Sequence, residues 1–152
     1  MRSVGELLGD RETVVATRDM SVMDVARLMS ASHIGAVPVL DGERVVGIFT
    51  ERDVLGRVVA AGRDAAKTLI GDVMSTELVI AATSETVEGC KRRMQQARVR
   101  HLLVLRGGTL AGVLSLRDVL AVEIDEKDEA INLLNAYVHY IPVDLTTTKQ
   151  RV

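Results

Sequence analysis

The chain has 152 residues, of which 47% are hydrophobic, and a formal net charge of −2. A mean hydropathy of +0.19 and a pI near 5.9 favour a sizeable core and argue against nucleic acid partners, which select basic domains. A single cysteine excludes an internal disulfide and a cysteine-based zinc site, and the absence of a long apolar run or a signal-peptide pattern predicts a cytoplasmic protein with no membrane contact.

The first predicted elements form the order β-α-β-β-α after a lead-in helical turn at residues 4–8. A short strand at 13–16 precedes Ser21, which predicts an N-cap with Asp24 three residues later. The helix that follows should bury one face, formed by Val22, Val25, Ala26 and Met29. Apolar runs at 36–40 and 45–49 flank an Asp-Gly-Glu turn and predict a strand hairpin, after which Thr50 starts a second helix.

The same order returns 65 residues later, with thirteen identities between 13–55 and 78–120 and no gap. Its helix follows Thr86, and the expected buried face comprises Val87, Cys90, Met94 and Ala97. A second lead-in turn at 70–74 echoes residues 4–8 at an offset of 66. We therefore expect an α+β (α/β) fold of tandem β-α-β-β-α repeats with pseudo-two-fold symmetry. The repeats should pack on each other and leave a cleft between them.

The predicted boundaries place the first repeat at 1–62, a connection at 63–69 and the second repeat at 70–122. A C-terminal helix and a disordered tail occupy 123–152. In that helix apolar residues recur at three- and four-residue steps from Ala130 to Ile141, and Pro142 should end it. This stripe could pack within the chain or against another subunit.

The pattern that carries chemistry is a strand ending on a hydroxyl residue, with a carboxylate three residues later: Thr50 with Asp53, and Ser115 with Asp118. A carboxylate can accept hydrogen bonds from both ribose hydroxyls, as an acidic residue does in dinucleotide folds. The hydroxyl and the free N–H groups of a helix start can hold a phosphate, to which Arg52 and Arg117 could add a charge-assisted contact. The same pattern is also an ordinary helix capping box, and one side chain can serve both purposes.

Both copies resemble CBS domains, and together they resemble a Bateman module, over residues 3–122. The resemblance lies in the two Gly-h-x-[Ser/Thr]-x-x-Asp segments, where h is an apolar residue, and in the stretch His33–Val39. Members of this family are generally non-enzymatic sensors of adenine ligands such as AMP, ADP, ATP, NAD or S-adenosylmethionine. The resemblance implies that Asp53 and Asp118 hold ribose. It also implies that Ile34, Gly35, Ala36, Val99, Arg100 and His101 line the base and that Thr17 lies near ribose or phosphate.

The two copies differ at this predicted site, because Gly35, Ala36 and Pro38 are replaced by Arg100, His101 and Leu103. We therefore expect unequal sites, one open to a base and one that directs positive charge toward phosphates. We also expect Asp53→Ala and Asp118→Ala to weaken nucleotide binding and to leave the fold intact.

The functional expectation is a homodimeric regulatory module for signal transduction and energy sensing, which binds an adenine nucleotide between its repeats and signals to a downstream protein. No Walker loop, dinucleotide fingerprint or His-Glu-x-x-His motif is present, so we expect no catalysis, no catalytic cofactor and no metal. Few aromatic residues are available to stack nucleic acid bases. The alternative is a dimeric interaction scaffold with degenerate ligand sites.

Overall fold

A computed structural model describes the backbone of residues 1–149 and the side chains of residues 1–139. The helices are α1 (Val4–Leu8), α2 (Val22–Ser32), α3 (Glu51–Asp53), α4 (Ile70–Val73), α5 (Val87–Ala97) and α6 (Leu116–Lys149), with a π-helical segment at Val54–Val59. The strands are β1 (Ala16–Thr17), β2 (Ala36–Asp41), β3 (Arg44–Thr50), β4 (Ile80–Ala82), β5 (His101–Arg106) and β6 (Thr109–Ser115). The chain forms one compact unit over Met1–Leu116 and a second that begins at Arg117.

Two three-stranded sheets, β1-β2-β3 and β4-β5-β6, repeat the same topology. In each sheet a parallel pair is followed by an antiparallel hairpin. The registers also match at the offset of 65, since Ala16 pairs with Val39 and Ala81 with Val104. Even the irregularity in each hairpin recurs, directly after Val39 and Val104. The predicted tandem α+β fold is confirmed.

The first long helix of each repeat is capped as the sequence predicts. The Ser21 hydroxyl accepts from the Asp24 N–H at 3.1 Å, and the Thr86 hydroxyl accepts from the Gly89 N–H at 3.1 Å. The predicted apolar faces are buried, except that Ala26 is only half-buried and Ala97 is exposed at the end of α5. The two helices α2 and α5 therefore match in their N-caps and in their buried faces.

The lead-in turns α1 and α4 each dock on the opposite repeat. The Val4 and Gly5 N–H groups donate to the carbonyls of Glu85 and Thr83, at 2.9 and 2.8 Å. In the same way, the N–H groups of residues 70 and 71 donate to the carbonyls of residues 20 and 18 in the first repeat. Each repeat therefore receives its lead-in turn from the other half of the chain.

The buried core of the first repeat contains residues of the second lead-in turn because each lead-in turn docks on the opposite repeat. The core around Phe49 and Val37 in the first repeat includes Ile70, Val73 and Met74 from the second lead-in. A separate apolar cluster joins the two sheets and consists of buried Ala36, Ile48 and Leu103 with partly buried Val45, Leu78, Leu110 and Val113. The expectation that the repeats pack on each other is confirmed.

The helix α6 is longer than the sequence predicted, because it continues through Pro142 to Lys149. The expected end at Pro142, and a disordered tail that includes residues 146–149, are therefore wrong. A proline inside a helix removes one N–H donor and crowds one turn, which costs about 3 kcal/mol without forbidding the helix. The tail residues 150–152 lie outside the described residues.

Candidate functional site

Strand register brings most of the predicted site residues together in pairs. Ala36 lies opposite Thr50, and His101 lies opposite Ser115. The Glu51 N–H donates to the Gly35 carbonyl at 3.0 Å, and the equivalent bond in the second repeat joins the Leu116 N–H to the Arg100 carbonyl at 2.8 Å. Each helix start is thus fixed beside the first residues of the middle strand in its own sheet.

The two repeats meet at Gly35. A methyl group added to Gly35 would lie 3.3 Å from Cδ of Glu51 and 3.4 Å from Cε1 of His101, which belongs to the second repeat. His101 is half-buried and makes a further interaction of its own. The space that the small residue was expected to leave for a base is therefore occupied here by Glu51 and His101.

Asp53 is buried, with 7% of its surface exposed, and its carboxylate is surrounded by donors. Its Oδ2 accepts from the Thr50 N–H at 3.0 Å and from the Thr50 hydroxyl at 3.1 Å, which completes a capping box. Its Oδ1 accepts from the Ser75 hydroxyl at 3.1 Å and lies 3.4 Å from Nε of Arg57. These four groups match the roughly four lone-pair positions of a carboxylate, so a ribose would have to replace some of them.

Ser75 and Arg57 were not predicted as site residues. Arg57 follows Asp53 by four residues, and this spacing on a helix could have indicated an ion pair. Its guanidinium also donates to the Met74 carbonyl at 2.9 Å, beyond the end of α4. Ser75 lies 22 residues from Asp53 and reaches it only because α4 docks on the first repeat, so no local pattern identifies it.

The second repeat does not reproduce this arrangement in its sequence. The position equivalent to Arg57 at the offset of 65 is Val122, and the offset of 66 between the lead-in turns relates Ser75 to Gly9. Asp118 lies in the first turn of α6, is half-buried and makes a polar interaction of its own. The sequence positions equivalent to Arg57 and Ser75 therefore offer Asp118 no side-chain donor.

Thr17 lies away from the paired site residues Ala36 and Thr50. It lies opposite Leu40 in the parallel pair, four residues along β2 from Ala36 and therefore about 13 Å away. Its hydroxyl donates to Oδ1 of Asp19 at 2.5 Å. The reason is the register of β1, which places the end of this strand near the hairpin turn.

The remaining predicted residues flank the paired groups. Pro38 is buried opposite Ile48, and Ile34 packs against the core of the first repeat. Val99 is half-buried at the equivalent position of the second repeat. The three arginines Arg52, Arg100 and Arg117 are exposed, as side chains that contact phosphate would be.

A cleft of about 390 Å³ lies between the first hairpin and the second sheet. Its walls comprise Glu43, Arg44, Val45, Leu78, Ile80, Leu103, Leu105, Gly108 and Thr109. None of the predicted site residues lines it.

An ion pair supports one wall of this cleft. Arg93 Nη2 lies 2.6 Å from Oε2 of Glu85, and the guanidinium also donates to the carbonyl of Ile80 in β4. The Arg93 guanidinium, followed by the Ala82 N–H, lowers the pKa of Glu85. Beneath it, burial raises the pKa of the Cys90 thiol, and the negative charge of Glu85 raises it further. The charged form of Glu85 therefore holds β4 in place.

Neither a metal nor a membrane is indicated by the described part of the chain. Residues 1–139 bring no three His, Cys, Asp or Glu side chains together in a way that could hold a metal ion. Of the helices within residues 1–149, none has both the length and the apolar character needed to cross a bilayer.

Comparison with known proteins places this geometry in a family. The profile of the CBS domain matches residues 4–60 and again residues 70–125. A mitochondrial CBS domain-containing protein of Arabidopsis thaliana is 32% identical over 143 residues, which cover 91% of this chain and 69% of that protein.

Two solved structures show the same fold. A protein with CBS domains from Burkholderia ambifaria superposes with a TM-score of 0.78 and 32% identity, covering 82% of this chain and 95% of the other. A CBS domain protein of Pyrobaculum aerophilum, solved in complex with AMP, gives a TM-score of 0.70 and 26% identity over 77% of this chain and 89% of the other. With one match in each repeat, the chain belongs to the CBS domain family and carries a tandem pair of these domains.

Proposed function

We propose that the protein is a non-enzymatic regulatory module that binds an adenine nucleotide between its two repeats and signals to a partner protein through a change in their arrangement. The observation that supports this most directly is the pair of helix starts, each with a hydroxyl residue and a carboxylate, set by matching registers in the two sheets. The AMP complex of the Pyrobaculum aerophilum relative supports the ligand class.

In this proposal the ribose hydroxyls donate to Asp53 or Asp118. The base lies against residues 99–101, or against residues 34–36 after the side chains of Glu51 and His101 move away from Gly35. The phosphate is contacted by three arginines whose exposed side chains are accessible to a ligand, Arg52, Arg100 and Arg117. The second site uses the basic pair Arg100 and His101 where the first has Gly35 and Ala36. AMP, ADP, ATP and NAD all carry the required adenosine and phosphate groups.

The contact between Asp53 and Ser75 suggests how binding would be transmitted. Ser75 follows α4, the lead-in turn of the second repeat, and its hydroxyl donates to a carboxylate of the first repeat. A ribose that takes this acceptor replaces a bond between the repeats by a bond to the ligand. The ligand shifts the equilibrium between two arrangements only by its difference in affinity for them.

Homodimerisation through the helices that follow the hairpins is part of the proposal. Leu55 and Val59 are exposed on the π-helical segment, and the equivalent Leu120 and Ile124 are exposed on α6. Exposed apolar residues that recur at the same positions of both repeats are typical of an interaction surface.

Thermal unfolding with AMP, ADP, ATP, NAD and S-adenosylmethionine tests ligand binding. A nucleotide at a hundred times its dissociation constant adds about 2.7 kcal/mol of stability, which raises the Tm of a domain this size by roughly 5–10 °C. Asp118→Asn should weaken binding measured by calorimetry. A chain whose Tm responds to none of the five ligands is not a nucleotide sensor.

The second candidate function is an interaction scaffold without a ligand, and the saturated carboxylate of Asp53 favours it. In that case the Thr50-to-Asp53 pattern serves only as a helix cap and as a bond between repeats. The scaffold predicts an unchanged Tm with every nucleotide, together with a stable dimer.

A further inference from the structure

The helix α6 carries a seven-residue pattern that continues beyond the match to the family. Starting at Leu120, apolar residues alternate at steps of four and three, and the pattern is broken only by Lys127. Its members are Leu120, Ile124, Lys127, Ile131, Leu134, Val138 and, in the sequence, Ile141. The family match ends at residue 125, whereas α6 continues to Lys149. Residues 126–149 therefore add about 36 Å of helix that the repeats do not account for.

The apolar side chains of this pattern from Leu120 to Val138 are exposed along α6. Ile124, Ile131, Leu134 and Val138 each expose more than half of their surface. A heptad repeat of apolar residues keeps one stripe in line along a helix only if the helix winds around a second helix. The pattern thus indicates a helical partner of similar length.

We propose that α6 pairs in parallel with α6 of a second copy of this chain, as a two-stranded coiled coil over residues 120–141. In heptad notation the a positions hold Ile124, Ile131 and Val138, all β-branched, and the d positions hold Leu120, Lys127, Leu134 and Ile141, two of which are leucine. β-branched residues at a with leucine at d favour parallel dimers over trimers and tetramers.

Residues 130–143 contain no Asp, Glu, Lys or Arg, so two identical segments meet there without repulsion and offer nothing to a charged partner. In the preceding heptad Glu123 at g lies beside Asp128 at e of the other strand, and this repulsion weakens that end of the seam. Lys127 is the polar residue at a d position, and Asp128 follows at the flanking e position, where it faces the lysine of the other strand. An anionic bilayer is a poor match, because the polar residues of 123–129 are mainly acidic and helices that lie on such membranes carry basic ones.

Two neighbouring leucines provide a matched test on the full-length chain. Leu134 occupies a d position and Leu133 a c position outside the seam, yet both are exposed, by 62% and 74%. Leu134→Asp would bury an unpaired carboxylate from each helix in the seam. It should therefore raise the dimer dissociation constant by about a hundredfold in sedimentation equilibrium. Leu133→Asp makes the same chemical change on the same helix and should stay within about twofold of the parent.

Disulfide cross-linking tests the direction of pairing in the otherwise intact protein. In a Cys90→Ala background, Leu134→Cys should form a covalent dimer under mild oxidation, because d residues face each other in a parallel pair. Leu133→Cys should not. Lys127→Leu should tighten the dimer, since it removes the one polar residue of the seam.

The proposal is overturned if the parent is monomeric, or if both aspartate variants behave alike. It is also overturned if Leu55→Asp abolishes association and Leu134→Asp does not, because the dimer would then form through the repeats alone. Binding of the parent, but not of Leu134→Asp, to phosphatidylserine vesicles in place of self-association would assign the surface to a membrane. Each of these results is independent of nucleotide binding.

Discussion

Asp53 shows how one side chain can serve the fold and a ligand with the same atoms. Its carboxylate caps a helix, accepts from Ser75 and pairs with Arg57 while almost entirely buried. Burial of a carboxylate is tolerated when its oxygens are fully hydrogen-bonded. A ligand that binds the Asp53 carboxylate must replace some of these hydrogen bonds.

Asp53→Ala should therefore destabilise the fold, contrary to the expectation from sequence that it leaves the fold intact. Loss of the cap and an unsatisfied Ser75 hydroxyl should lower the free energy of unfolding by about 2–3 kcal/mol in urea titrations. Asp24→Ala, a change of an exposed aspartate in the first turn of α2, should cost about 0.5 kcal/mol. Equal losses in the two variants would contradict a structural role for Asp53.

Cys90 predicts a loss of stability in alkali. Burial raises the pKa of its thiol in the folded state, so the folded chain holds this proton when the unfolded chain has already lost it. The contribution is fully present below the unfolded pKa of about 8.5 and is lost as the pH rises through the folded pKa. Urea titrations from pH 7 to 10 should show a decline that Cys90→Ala reduces, and an identical decline in both proteins would refute it.

At the scale of elements, the contact between each lead-in turn and the opposite sheet depends on a glycine. A methyl group on Gly47 would collide with Sδ of Met74 and lie 3.1 Å from the Ser75 carbonyl, whereas one on Gly112 would lie 3.1 Å from Cδ1 of Leu8 and 3.6 Å from Oγ1 of Thr13, both side-chain atoms. The Leu8 side chain can rotate away, but the Ser75 backbone cannot. The two glycines are equivalent in the repeat and unequal in their surroundings.

Gly47→Ala should cost about 1–3 kcal/mol of unfolding free energy, and Gly112→Ala should cost less. Gly56→Ala is the control, because its added methyl group meets nothing within 4 Å and alanine favours a helix. Thermal and urea unfolding of the three variants would check this order. A Gly47→Ala protein as stable as Gly56→Ala would show that α4 is not held tightly against β3.

The elements also show which features the sequence can predict. Caps at Ser21 and Thr86, the two hairpins and the helix faces follow from local spacing, and all were predicted. The continuation of α6 through Pro142 was not predicted. A proline in the sequence indicates a free-energy cost to a helix, but it does not indicate whether the other residues of the helix offset that cost. The occupation of Asp53 by Ser75 was missed because it depends on which repeat α4 docks against. The distance between Thr17 and the other predicted site residues likewise depends on the register of a two-residue strand, which no local pattern indicates.

For the whole molecule, the exchange of lead-in turns makes the repeats interdependent. Val4 is fully buried, and its N–H group donates to the second repeat at Glu85. Val4→Ala should therefore speed amide exchange in β5 and β6 more than in β2 and β3, as measured by hydrogen exchange with mass spectrometry. The complementary variant Ile70→Ala should show the reverse. Uniform acceleration in both variants would mean that the two sheets open only together.

The exchange also has a practical consequence for protein engineering. The N-terminal residues lie against a part of the polypeptide more than eighty positions away, as shown by the bridge between Ser3 and Thr86. Met1 itself is fully exposed, so a fusion partner or affinity tag joined there would emerge beside the second repeat. Splitting the gene at the junction of the halves would separate each product from a piece of its own interior.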